Sequence, residues 1–93
     1  MKPDIDIVLA MAEVISEAAA TNEAALAGDL DEARFRARLT ASAASDAGLG
    51  SVALAADELV DVLGPVGGDI RPGLGAAMVK VADALEAVGF DPL

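Results

Sequence analysis

Apolar residues along this chain recur at helical spacing and nowhere alternate with period two, and glycine or proline interrupts the pattern at Gly28, Gly48, Gly64-Pro65 and Gly89. That punctuation predicts four helices. The first runs from about Ile5 to Ala27, capped by Asp4, with a stripe of Val8, Met11, Ile15, Ala18/Ala19, Asn22 and Leu26. Asp29 is placed to cap a second helix through about Ala47. Ser51 is placed to cap a third, with Val52, Ala56, Leu59 and Leu63 inward. Val66 to Gly73 reads as a loop. A fourth helix follows from about Leu74 to Val88, with Leu74, Ala77, Met78, Val81, Leu85 and Val88 on one face.

Alanine, the best helix former, dominates, and β-branched residues are sparse. Short connections make consecutive helices neighbours, so the expectation is all-α: an antiparallel up-down four-helix bundle forming one domain over residues 1–93. In such a core, Leu39→Ala or Leu85→Ala is expected to cost roughly 2–5 kcal/mol.

The second helix carries two unlike faces. At 100° per residue, Phe35, Leu39, Ser42 and Ala43 gather on one side, and the two large apolar groups mark that side as the one facing the core. The opposite side then presents Ala33, Ala37, Ala41 and Ala44 to solvent, flanked by Arg34 and Arg38 on one edge and by Arg36 and Thr40 on the other. Two readings compete for this strip. In one it is a solvated helix face whose arginines pair with Asp31 and Glu32 at i,i+3 or i,i+4. In the other it is a docking strip for a partner with an acidic pocket.

Composition narrows the chemistry. The chain has no His, Cys, Tyr or Trp, which removes the usual proton carrier near neutral pH, the thiolate nucleophile and the best metal ligands. The expectation is therefore no enzyme, no catalytic residue, no cofactor and no metal. A formal charge of −10, from 16 acidic against 6 basic side chains, opposes binding to nucleic acid or anionic membrane. The longest apolar run, Ile7 to Ala12, is too short to span a bilayer, and Met-Lys-Pro-Asp does not open a signal peptide. A cytoplasmic protein is expected.

The run from Ala27 to Leu63 resembles a histidine-containing phosphotransfer (HPt) domain of bacterial phosphorelays. The family shows Gly-Asp, a turn or two of helix, then His-x-Leu-Lys-Gly-Ser-Ala and a glycine. Here the matching stretch reads Gly28-Asp29, then Ala37-Arg38-Leu39-Thr40-Ala41-Ser42-Ala43, then Gly48. The resemblance implies that Leu39 is a core leucine and that Ala41 is the small residue leaving room for an incoming receiver domain. It also places Ala37 at the phosphoacceptor histidine and Thr40 at the phosphate-stabilising lysine, so the acceptor is degenerate and no phosphate is carried. A non-catalytic interaction module follows, binding a receiver domain or related signalling protein through Arg34, Ala37, Arg38, Thr40 and Ala41.

Two alternatives stand beside it. Gly50-Ser51-Val52 at a helix start is similar to the phosphopantetheine serine of acyl carrier proteins, although Gly50 stands where those have Asp. The Ala-rich faces also suit a self-associating structural bundle. The glycines around Asp69 and Arg71 lack the Walker lysine of a phosphate loop, and Asp57, Glu58 and Asp61 lack the spacing of an EF-hand.

Overall fold

The computed structural model describes residues 5–88, with side chains from Val8 onward, so the expected cap Asp4 and the stop at Gly89 lie outside the described residues. Four α-helices follow one another: α1 (Ile5–Leu26), α2 (Leu30–Asp46), α3 (Gly50–Leu63) and α4 (Leu74–Ala87). They form an all-α four-helix bundle. Each helix packs along the next, and α1 meets α4 only through a short contact.

The first two turns are built alike. After α1, Gly28 N–H donates to the Ala25 carbonyl and Asp29 N–H to that of Ala24. After α2, Gly48 donates to Ser45 and Leu49 to Ala44. Both are Schellman closures, and they need a left-handed residue at their pivot. Glycine supplies it, at φ 78° for Gly28 and 75° for Gly48. In each case the residue after the glycine is already the cap of the next helix. Asp29 does this with its side chain, which accepts from Glu32 N–H at 3.2 Å.

The same geometry corrects the expected start of α3. Once Gly48 has reversed the chain, Leu49 takes the capping position without a side-chain bond, and Ser51 falls inside the first turn as an exposed residue.

The core comprises Val14, Ala18 and Ala24 of α1, Ala33, Ala37 and Ala44 of α2, Val52, Ala55, Ala56, Leu59 and Leu63 of α3, and Ala77, Val81 and Leu85 of α4. The inward faces expected for α3 and α4 are the ones observed, with Leu74, Met78 and Val88 packed at the margin. On α1 the buried stripe is rotated. Val14, Ala18, Thr21 and Ala24 are enclosed, while Val8 is 55% and Leu26 83% exposed. With 22 residues α1 is about 33 Å long against about 21 Å for the 14-residue α3 and α4, and the first enclosed side chain among its described ones is Val14.

The face expected for α2 is inverted. Ala33, Ala37 and Ala44 have no exposure and Thr40 has 1%, whereas Phe35 is 53% exposed and Ser42 is also exposed. Leu39 is only half-buried. The physical reason lies in position. α2 packs against both α1 and α3, and methyl-sized side chains let three backbones approach where a phenyl ring would hold them apart. Small size outweighs hydrophobic bulk in choosing the buried face of α2.

Candidate functional site

Placing the alanine face inward divides the five residues singled out from the sequence. Arg34, Ala37 and Thr40 belong to the interior, with 3%, 0% and 1% exposure. Arg38 is exposed and Ala41 half-buried. The five therefore do not form one surface. An acceptor position in a phosphotransfer domain must meet a partner, and Ala37 is sealed between neighbouring helices. The docking strip implied by the resemblance is thus corrected: its centre is core.

Each interior polar group has a structural task. Arg34 Nε donates to the Leu63 carbonyl at 3.0 Å, its NH2 to the Gly68 carbonyl at 2.8 Å and its NH1 to Asp31 Oδ1 at 2.8 Å. The fork thus ties α2 to the last residue of α3 and to the loop before α4. Thr40 Oγ1 donates to the Arg36 carbonyl at 2.8 Å, and Thr21 Oγ1 to the Glu17 carbonyl at 2.7 Å. Each hydroxyl has one proton, so the 3.4 Å approach between Thr21 and Thr40 is a weak additional contact across the α1–α2 seam. Among the described residues no buried side-chain nitrogen or oxygen lacks a partner.

Arg36 bridges two helices. Its Nε donates to Glu32 Oε1 at 2.7 Å and its NH1 to Glu17 Oε2 at 3.1 Å. These bonds, that to Glu32 first and then that to Glu17, hold its pKa above the ordinary arginine value. The pairing expected within α2 is present: Arg34 with Asp31 and Arg36 with Glu32. Lys80 of α4 pairs with Glu58 of α3 at 3.0 Å.

Arg38 and Arg71 differ from these. Neither has a hydrogen bond or ion pair to another described side chain within 4.0 Å, and both line one groove between α2 and α3. The groove has a volume of about 400 Å³ in its main part, lined by Arg38, Ala41, Ser42, Ser45 and Asp46 of α2 and by Ala53, Asp57 and Val60 of α3. It continues past Arg38 and Val60 into a second part of about 240 Å³, where Asp61, Pro65 and Arg71 join the wall. Its floor is small and apolar (Ala41, Ala53, Val60) and its rim is charged. Sequence reasoning found Arg38 and Ala41 but missed their neighbours, because the groove exists only once α3 lies beside α2. The weak signal available was the i,i+4 pair Asp57 and Asp61, which faces it.

No protein-family model, curated protein or solved structure matches this chain. Among the described residues, no group of three His, Cys, Asp or Glu side chains is placed to hold a metal ion. No described helix is long and apolar enough to cross a membrane. The exposed Ser51 follows a three-residue connection, where an acyl carrier protein has a long loop.

Proposed function

We propose that this chain is a non-catalytic protein-interaction module that docks its partner in the α2–α3 groove. The observation that carries the reading is the pairing pattern of the cations. Among the described residues, Arg34, Arg36 and Lys80 are each neutralised by a carboxylate, while Arg38 and Arg71 stand unpaired at the rim of one groove. Two guanidiniums held over a floor of alanine and valine offer directional donors beside desolvated apolar surface, the combination a docking segment needs. The groove contains hydroxyls, carboxylates and guanidiniums but no histidine or thiol, which supports binding over turnover.

The receiver-domain partner implied by the resemblance loses its docking strip with the burial of Ala37. The reading rests on Arg38, Ala41 and their α3 neighbours instead.

Panning the folded protein against a phage-displayed library of random peptides tests it. Enriched peptides are expected to perturb the backbone amide NMR signals of Ala41, Ala53 and Val60. Enrichment only of peptides that perturb a different face overturns the proposal, as does enrichment of nothing by a protein that is also monomeric.

A further inference from the structure

Across the groove Arg38 of α2 stands opposite Asp57 and Asp61 of α3, and the two outward helix faces are alike in pattern. On α2, Phe35, Arg38 and Ser42 fall on one outward face at i, i+3 and i+7; on α3, Leu54, Asp57 and Asp61 do the same. Each helix also carries one large exposed apolar group beside the groove, Phe35 at 53% and Leu54 at 68% exposure. Arg38 is the cation of the α2 wall, with Asp46 further along it, and Asp57 and Asp61 are the anions of the α3 wall, yet Arg38 makes no ion pair with Asp57 or Asp61 across its own groove.

We infer that the partner in this groove is a second copy of the chain, related by a twofold axis running along the groove; this rests on the groove being the docking surface. A twofold interface requires one patch that complements itself. Such an axis lays each α2 wall on the partner's α3 wall at the same height. Arg38 lies level with Asp57 and Asp61 in its own chain, since it shares one part of the groove with each. The rotation therefore brings Arg38 opposite the same two carboxylates of the other copy, twice per dimer. The small floor residues Ala41 and Ala53 let the two helix pairs approach closely, and Phe35 and Leu54 become covered at the margins.

Sedimentation equilibrium at 0.15 M salt, from micromolar to about millimolar protein, reads the prediction directly. The wild-type chain is expected to form dimers. Arg38→Glu is expected to weaken dimerisation at least tenfold by setting Glu against Asp57 and Asp61. The double variant Asp57→Lys/Asp61→Lys is expected to weaken it as well, by setting Arg38 against two lysines. General repulsion between chains of net charge −10 predicts the opposite sign for that second variant, because it makes the chain less acidic.

An equimolar mixture of the two variants restores complementarity at both contacts, so mixed dimers are expected with wild-type affinity. All three positions are exposed, and circular dichroism of each variant confirms that folding is kept. A wild-type monomer at every concentration overturns the inference, as does a dimer indifferent to both variants or a mixture that fails to pair. Peptides that perturb Ala41, Ala53 and Val60 of a strictly monomeric protein would leave the docking groove standing while removing the second copy as its occupant.

Discussion

Arg34 Nε lies 3.0 Å from the carbonyl oxygen of Leu63, so a side chain of α2 closes the C-terminal end of α3. The last carbonyls of a helix lack intrahelical donors and carry the negative end of its dipole. A guanidinium satisfies both needs, and its planar fork reaches Gly68 and Asp31 with the remaining nitrogens. Arg34→Ala leaves the Leu63 carbonyl without this donor and is expected to cost about 2–4 kcal/mol in urea denaturation. Arg34→Lys keeps the charge but not the fork and should fall between. A loss under about 1 kcal/mol for the alanine variant would show that the bridge is not structural.

Restoring a histidine at the position that the resemblance assigns to the phosphoacceptor should damage the fold. Ala37 has no exposure, so Ala37→His must force an imidazole into the interior of the bundle. Overpacking of this kind costs typically about 1–3 kcal/mol, and an unpaired ring nitrogen adds to it. The expected outcome is a lower thermal midpoint and no acid-labile phosphate after incubation with acetyl phosphate. A stable, phosphorylated variant would return Ala37 to the surface.

Leucines and the aromatic ring should rank by burial instead of by size. Leu63→Ala removes a fully enclosed side chain and is expected to cost roughly 2–5 kcal/mol. Phe35→Ala removes a ring that is 53% exposed, and should change monomer stability by less than about 1 kcal/mol. Leu39, half-buried, should fall between the two and below the cost that its expected core position implied. Denaturation at low micromolar protein keeps self-association out of the comparison.

The paired hydroxyls of Thr21 and Thr40 invite replacement together. Each proton goes to a carbonyl one turn back in its own helix, so Thr21→Val/Thr40→Val deletes both without stranding a donor. The double variant is expected to lie within about 1 kcal/mol of the parent and on the stabilising side. Thermal melts of both single variants and the double one measure any coupling between them.

Gly64 ends α3 at φ 73°, and a Cβ there would stand 3.1 Å from the Asp69 carbonyl oxygen. Its ψ of −172° lies in a region essentially confined to glycine, so Gly64→Ala is expected to cost about 1–3 kcal/mol from the backbone alone, more if the loop cannot shift. Gly67→Ala, also at positive φ but with open space around it, is expected to cost less than Gly64→Ala in the same denaturation measurement.

The inward faces of α3 and α4 were legible from the chain, whereas on α1 Val8 and Leu26 marked a stripe but are themselves exposed. Val52, Leu59 and Leu63 on α3 and Val81 and Leu85 on α4 recur at helical spacing on the buried face, with Leu54 and Val79 standing off it. The glycines at 28 and 48 marked the turns, because only a left-handed residue closes a helix that way. On α2 the alanines carry no orientation of their own, so Phe35 and Leu39 suggested the wrong side. What decides there is how near α1 and α3 come, and that distance is not encoded within seventeen residues of α2. Arg34 was unreadable for a related reason. Its acceptors are backbone oxygens of Leu63 and Gly68, which have no residue-type signature. Of the candidate site, Arg38 and Ala41 were visible as types, and their groove was not, because it needs the second wall.

Because α1 and α4 share so little surface, the helices are strung side by side, each leaning on its predecessor, and the circuit is barely closed. The final helix is therefore the one that can lift away while the other three keep their mutual packing, held back by its seam with α3, the short contact with α1 and the Lys80–Glu58 pair. In amide hydrogen exchange it should lose protection first, leaving a three-helix remnant with the inner side of α3 bared to water.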